Sequence, residues 1–190
     1  MLGNTYDNQV CSIARALEAV GERWSLLIVR DALFAGVTRF NDFQHNLGLA
    51  TNVLKTRLDS LVAVGVMERR RYSERPVQHE YVLTEKGRDL APALISLTAW
   101  GDRWSSPNGP PILYGHASCG GSVRHELACS NCGAIDASEV TVRPGPGMPV
   151  DYLANRRRRT RAGRDHATDP LLKSASQARR RATDKTRHPS

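Results

Sequence analysis

Four short segments with apolar residues at helical spacing follow one another in the first 65 residues, and a glycine closes each of them. Glycine commonly ends a helix because its backbone readily adopts the left-handed conformation of a C-terminal cap. The pattern therefore predicts a succession of short helices instead of one long helix. In order, they contain Ile13, Leu17 and Val20; residues 22–35; Phe40, Phe43 and Leu47; and residues 50–64; they end at Gly21, Gly36, Gly48 and Gly65.

The second and fourth predicted helices have well-defined apolar faces, so each is expected to pack one side inward. In the second helix this face consists of Trp24, Leu27, Ile28, Asp31 and Ala35, and in the fourth of Val53, Leu54, Leu58, Leu61 and Val62.

The chain changes from helical to strand periodicity after Gly65. Residues 66–72 and 79–83 predict two strands joined by a loop over 73–78. Thr84 is a good helix N-cap, so a long helix is expected from there to about Trp104, bent near Arg88 by Pro92. The order of elements predicts a mainly α fold with a small β-wing, the winged helix-turn-helix.

In that fold, the fourth helix is the recognition helix. Asn52, Lys55, Thr56 and Asp59 face outward between the buried residues. Such side chains can hydrogen-bond base edges or phosphates when the helix lies in a major groove. The predicted DNA contacts on this helix are Thr51, Asn52, Lys55 and Thr56.

The predicted wing is rich in arginine, with Arg69, Arg70 and Arg71 in succession and Arg75 at its tip. Charged side chains on an edge strand can simply prevent unwanted sheet pairing. After a recognition helix, however, they favour contact with DNA phosphates. Since side chains alternate along a strand, Arg69 and Arg71 share one face and Arg70 points the other way. We therefore expect phosphate contacts from Arg69, Arg71 and Arg75.

Arg39, just before the third helix, is a further candidate for a phosphate contact. An ion pair within the protein, with Asp42 or Asp31, is an equally good interpretation of this arginine.

Four segments occur in the order of the motifs of the HxlR family of bacterial regulators, which the chain resembles over about residues 10–104: GERWSLLIVRDAL (21–33), TRFNDF (38–43), LATNVLKTRLDSLVAVGVMERRRY (49–72) and YVLTEKGRDL (81–90). The resemblance implies a DNA-binding and dimerisation domain: a homodimer, paired through the first and last helices of this domain, that binds double-stranded DNA at two half-sites about 34 Å apart.

The chain departs from the family pattern at two places. Ser12 stands where the family often has Pro, and Ala50 and Thr51 stand where it favours Ser and Pro. Ala is a poorer N-cap than Ser by about 1 kcal/mol, so Thr51 is an alternative cap for the recognition helix.

Three cysteines and a histidine lie close together after the breaker-rich sequence SSPNGPP (105–111), which reads as a linker. HASCGG (116–121) and CSNCGA (129–134) have the same spacing, two ligands separated by two residues and followed by Gly. His116, Cys119, Cys129 and Cys132 would give one structural Zn²⁺ four ligands and no open position. A zinc-ribbon-like segment is therefore predicted over residues 112–142. His125 is a competing fourth ligand, and a loop without metal is the alternative.

Cys11 precedes the first helix, in the usual place of a cysteine in the HxlR family. Relatives that sense oxidants through this position make it a candidate redox switch. A cysteine beside an apolar helix is more often a small buried apolar residue.

All of the net charge of +8 belongs to the end of the chain, because residues 151–190 hold 12 Lys and Arg against 4 Asp and Glu, whereas residues 1–150 hold 15 of each. The Arg-rich tail, residues 150–190, has too few apolar residues to fold and is predicted to be disordered. It would bind nucleic acid non-specifically through phosphates, or merely extend the chain.

The sequence favours a DNA-binding regulator over an enzyme, because it contains no recognisable nucleophile–base pair, paired carboxylates or phosphate-binding glycine loop. No organic cofactor and no membrane partner are expected, and the absence of an export signal predicts a cytoplasmic protein. The alternatives are a redox- or metal-responsive regulator and a non-specific nucleic-acid binder driven by the tail.

Overall fold

A computed structural model describes residues 5–7, 9–149 and 151–152. It divides into two compact units, one up to His125 and the other from Glu126 onward. The boundary falls inside residues 112–142, which the sequence groups as one segment. The predicted tail lies outside the described residues, apart from residues 151 and 152.

The first unit is mainly helical with one antiparallel two-stranded sheet. Its elements are α1 (Ser12–Val20), α2 (Ser25–Phe34), α3 (Phe40–Leu47), α4 (Thr51–Ala63), β1 (Met67–Glu74), β2 (Val77–Leu83), α5 (Glu85–Arg88) and α6 (Ala91–Ser105). This order confirms the predicted mainly α, winged-helix architecture.

One apolar core holds these elements together. The predicted inward residues of α4 are confirmed, since Leu54, Leu58 and Leu61 are completely buried and Val53 and Val62 pack against the core. α2 contributes Ile28 and Val29, α3 contributes Phe43, and the start of the wing contributes Val66 and Met67. Burying side chains of this size stabilises the fold by roughly 1.5–3 kcal/mol each.

The second helix differs from its prediction at both ends. It begins at Ser25 instead of residue 22, and Glu22, which lies outside the helix, forms an ion pair with Arg57 of α4 at 3.2 Å. Ala35, expected on the buried face, is the C-cap and is exposed. Val29 is buried in addition to Ile28.

The wing is a tighter hairpin than expected. The predicted six-residue loop reduces to Arg75 and Pro76, because the strands continue to Glu74 and resume at Val77. Pairing runs from Met67 opposite Leu83 to the tip, with an irregularity between Arg71 and Ser73.

The long final helix is two helices. Thr84 is the N-cap, as predicted, and its side chain accepts a hydrogen bond from the Gly87 amide. The helix nevertheless stops at Arg88, and α6 starts with Pro92 in its first turn. Since proline has no amide hydrogen to donate, it is tolerated there but not inside a continuous helix. Pro92 therefore divides the helix instead of bending it.

The second unit, as far as it is described, contains the short antiparallel strands β3 (Ala128–Cys129) and β4 (Gly133–Ala134) and one 3₁₀ turn over Ala137–Glu139. Asp136 caps that turn, and its hydrogen bonds from the side chain and amide of Ser138 lower the pKa of its carboxyl. None of the helices in the described residues is long and apolar enough to cross a membrane.

Gly87 sets a stringent packing test of this fold. A Cβ there would lie 2.2 Å from the Val66 carbonyl oxygen and 2.8 Å from a methyl of Leu83, so we expect Gly87→Ala to destabilise the protein by about 2 kcal/mol. Gly101→Ala is the matched control, because a Cβ on that helical glycine meets nothing within 4 Å and should be neutral or stabilising by about 0.5–1 kcal/mol. Urea unfolding of both variants measures this, and equal stabilities would contradict the packing.

Candidate nucleic-acid interface

Two features fix the turn between α3 and α4: a glycine at the end of α3 and a glutamine side chain that binds the residues after it. Gly48 ends α3 in the left-handed conformation, with φ of 62°. The side-chain amide of Gln44 donates to the Thr51 hydroxyl at 2.9 Å and to the Leu49 carbonyl at 3.4 Å. Ala50 is the N-cap without a side-chain hydrogen bond, so the alternative of Thr51 as the cap is wrong. Thr51 is the first helical residue, and Gln44 in α3 holds its hydroxyl.

The outward face of α4 contains the predicted polar residues, all exposed. Lys55 is paired with Asp59 at 2.5 Å, and hydrogen bonding to that carboxylate raises the pKa of the Lys55 ammonium. The Thr56 hydroxyl donates to the Asn52 carbonyl at 2.8 Å. Among the described residues, the Asn52 side chain makes no hydrogen bond, so its amide is available to a ligand from the first turn of the helix.

The wing arginines differ in how they are held. Arg69 contacts the Nδ1 of His79 at 3.0 Å, and Arg71 pairs with Glu74 at 2.8 Å. Within the part of the chain that the structure describes, Arg75 at the tip has no hydrogen bond or ion pair. It is therefore the wing arginine most readily available to a phosphate.

Arg39 makes neither of the two ion pairs considered for it. Its guanidinium stacks over the Tyr72 ring at 4.9 Å from the centroid, whereas Asp31 is bound by the neighbouring Arg30 at 2.7 Å. Residue 39 also forms an isolated bridge with Glu80 of β2. The start of α3 is thus joined to the wing, and Arg39 remains exposed.

Two contributors to this surface, Gln44 and Tyr72, were missed by the sequence analysis. Gln44 is an ordinary polar residue in α3 whose role follows only from the fold of the turn. Tyr72 could have been identified from its place beside three arginines, since arginine commonly stacks on aromatic rings. Tyr72 also donates a hydrogen bond from its hydroxyl to the Gln78 side chain across the wing.

The Trp residues do not all join the core. Trp24 packs against it, whereas Trp100 and Trp104 on α6 are 61% and 65% exposed. Trp24 therefore lies on the inward face predicted for α2, whereas α6 presents two tryptophans on the surface of the protomer.

The two predicted metal-binding turns have similar local structures. In the first unit, His116 Nδ1 lies 3.2 Å from Cys119 Sγ, and Gly120 has a φ of 71°. In the second unit, Gly133 has a φ of 82° and follows Cys132. Hydrogen bonds from the Asn131 and Cys132 amides, and from the Cys132 side chain, lower the pKa of the Cys129 thiol.

Amides directed at a cysteine sulfur stabilise the thiolate, which is the form that binds zinc. This observation applies to the turn that holds Cys129 and Cys132. Within the described residues, however, no three His, Cys, Asp or Glu side chains gather closely enough to hold a metal ion.

Cys11 is the N-cap of α1 and is exposed, so it is not the small buried residue that is commonest beside an apolar helix. Arg15, one turn along, is bound to the Tyr6 carbonyl at 2.6 Å and to Glu18 at 3.0 Å. Cys11 is therefore accessible, but Arg15 binds the Tyr6 carbonyl and Glu18 instead of the Cys11 sulfur.

The fold, with the exposed polar face of α4, is that of a helix-turn-helix regulator, and comparisons with known proteins agree. The sequence profile of the HxlR-like helix-turn-helix family matches residues 19–109. The uncharacterised HTH-type transcriptional regulator Rv3095 of Mycobacterium tuberculosis is 50% identical over 146 residues, which cover 76% of this chain and 92% of the relative.

Two solved structures are also similar. PA1607, described as a candidate transcription factor, has a TM-score of 0.65 and 37% identity over 72% of this chain and 96% of its own. PA1374 of Pseudomonas aeruginosa, described in the same way, has a TM-score of 0.57 and 38% identity over 76% of this chain and 99% of its own. The chain belongs to the HxlR family of helix-turn-helix transcriptional regulators, which are not enzymes.

Proposed function

We propose that the protein is a sequence-specific regulator that binds two half-sites of an operator as a homodimer. The observation that carries this proposal is the Asn52 side chain on the first turn of α4, which, like Arg75 at the tip of the wing, has no hydrogen-bond or ion-pair partner among the described residues. In helix-turn-helix proteins the first residues of the recognition helix read base edges, while arginines outside it bind phosphates and set the orientation. Such a protein would act in the bacterial cytoplasm, at the nucleoid.

The contributions of the predicted contact residues are expected to differ. Asn52 would specify sequence, since its amide can form a bidentate pair with adenine. Arg39 and Arg75 would bind phosphates directly. Lys55 and Arg71 would first have to separate from the carboxylates of Asp59 and Glu74. Breaking an exposed ion pair of this kind costs little free energy.

Selection from random DNA with the full-length protein, at about 0.2 M salt with unrelated competitor, tests the proposal, because non-specific electrostatic binding fades there. We expect an enriched two-part motif. Asn52→Ala should weaken the selected site by roughly 5- to 150-fold and relax its sequence preference, the range that follows from about 1–3 kcal/mol for a bidentate base contact. Arg75→Gln should weaken all sequences alike and reduce the salt dependence by about one ion.

Removal of residues 150–190 is the control for the tail. Specific binding should survive this deletion. If the full chain bound all DNA alike and the deletion abolished binding, the protein would instead be a non-specific binder driven by its tail.

The dimer is proposed to form through α1 and α6. Both helices expose apolar residues at helical spacing that the protomer leaves unburied: Ile13 and Leu17 on α1, and Leu97, Trp100 and Trp104 on α6. Monomeric proteins rarely leave contiguous apolar patches of this kind in water. Covering these faces with a second copy would also give the two recognition helices a fixed spacing.

Sedimentation measurements on Leu17→Glu and Trp100→Glu test this interface. Both variants should sediment as monomers at micromolar concentration, because a carboxylate buried in an apolar interface is strongly unfavourable. Leu113→Glu is the matched control, since Leu113 is 82% exposed but lies outside both helices. Dimers in both helix variants would refute the proposed interface.

One structural Zn²⁺ remains a proposal for His116, Cys119, Cys129 and Cys132, supported by their spacing and by the local structure of each turn. Zinc would supply stability to a segment with few apolar residues. The alignment with Rv3095 leaves only 44 of the 190 residues unmatched. Wherever a continuous match of 146 residues begins in this chain, it includes residues 45–146. Rv3095 therefore has a counterpart of residues 112–142.

Metal analysis of protein purified without a histidine tag tests the zinc proposal. We expect one zinc per chain, lost in Cys132→Ser and weakened in His116→Asn, because each removes one of four ligands. Cys11→Ser and His125→Asn are the controls and should retain the metal. Zinc-free wild-type protein would refute the site, and loss of zinc in His125→Asn but not in His116→Asn would reassign the fourth ligand.

A further inference from the structure

Arg70 is the one arginine of the three in succession that the proposed DNA contact does not use. In the first unit it lines a cavity of about 300 Å³ on the side of the wing that faces α2. Arg88 of α5 lines the same cavity. Two arginines that are far apart in sequence therefore line the same cavity.

More than half of the residues that line this cavity are apolar. They include the buried Val37 and the partly buried Leu33, Val82 and Leu83. Small-molecule sites in proteins typically combine such apolar walls with a few polar groups that orient the ligand. The described residues that line the cavity include no carboxylate.

The two arginines are held in ways that leave them able to bind an anion. Arg88 donates a hydrogen bond to the Leu83 carbonyl at 2.6 Å, and no other described residue binds its remaining N–H groups. Arg70 is paired with Glu68 at 2.7 Å, but both side chains are more than half exposed. Because such a pair is worth little in water, a better-placed anion can replace Glu68. Glu80, opposite Arg70 in the sheet register, is the other carboxylate on this part of the wing.

We propose that this cavity binds a small organic anion with an apolar body, whose carboxylate or similar group is bound by Arg70 and Arg88. The apolar part would lie over Leu33, Val82 and Leu83. Planar guanidinium groups match carboxylates in geometry and form stronger hydrogen bonds with them than neutral donors do. The ligand would contact α2, both wing strands and α5, so occupancy would bias the position of the wing; this regulatory consequence rests on the proposed DNA-binding function.

Benzoate is a suitable probe, with benzamide as its neutral counterpart and acetate as the anion without an apolar body. Amide NMR signals of the full-length protein would be followed during titration in the absence of DNA. We expect saturable shifts from benzoate over residues 32–38 and 81–88, with at least about tenfold weaker binding of benzamide and acetate, since each lacks one of the two interactions. This measurement does not depend on whether the protein recognises an operator.

Arginine variants decide whether the site is the one proposed. Arg70→Gln and Arg88→Gln should each weaken benzoate binding by about tenfold, the effect of losing one charge-assisted contact. Arg75→Gln is the matched control, because it removes the same charge from the same hairpin outside the cavity and should leave benzoate binding unchanged. If Arg88→Gln fails to fold because its bond to Leu83 is lost, Arg70→Gln still decides.

Three results would overturn the proposal. The first is the absence of saturable shifts at about 10 mM benzoate, a limit that already corresponds to a very weak complex. The second is shifts that map elsewhere or that Arg75→Gln reduces as much as Arg70→Gln does. The third is a loss of DNA affinity in Arg70→Gln equal to that in Arg75→Gln, with unchanged benzoate binding, which would assign Arg70 to a DNA phosphate.

Discussion

The junction where α4, the wing and α5 meet determines the arrangement of the whole DNA-facing surface. The two carbonyls that follow the last residue of α4, those of Val64 and Gly65, are bound by residues at the start of α5. The Thr84 hydroxyl donates to the Gly65 carbonyl at 2.7 Å, and Lys86 Nζ donates to the Val64 carbonyl at 2.7 Å. Gly87 lies so close to Val66 that no side chain fits between them. The end of the recognition helix and the base of the wing are therefore one rigid corner.

The sequence predicted the helices well because glycine and apolar spacing are local signals. Gly48 and Gly65 adopt positive φ where the helices were expected to end, and Leu54, Leu58 and Leu61 occupy the core as their spacing indicated. The prediction failed where pairing with another segment decides the local structure. Residues 73–78 were expected to form a loop, but Ser73 pairs with Gln78 and Glu74 with Val77 across the wing.

The contact residues proposed from the sequence remain a prediction, but the structure shows which of them already have partners within the protein. Lys55 and Arg71 were identified as cations, whereas the structure shows each of them neutralised by a carboxylate of its own element. Such pairs are in keeping with the zero net charge of residues 1–150. Affinity for DNA would come from a few unpaired groups and from exchangeable pairs instead of a broad positive field, which favours selectivity over non-specific attraction.

The Cys-bearing segment and the Arg-rich tail, which follow the helix-turn-helix region, differ in what the match to Rv3095 says about them. The match to Rv3095 extends well beyond residue 109, where the family profile ends, so the Cys-bearing segment has a counterpart in a relative. The same match is too short to contain both residues 1–150 and residues 151–190 in full. Since residues 151–190 carry all of the excess positive charge, phosphate binding by them would act in addition to any contacts from the helix-turn-helix region.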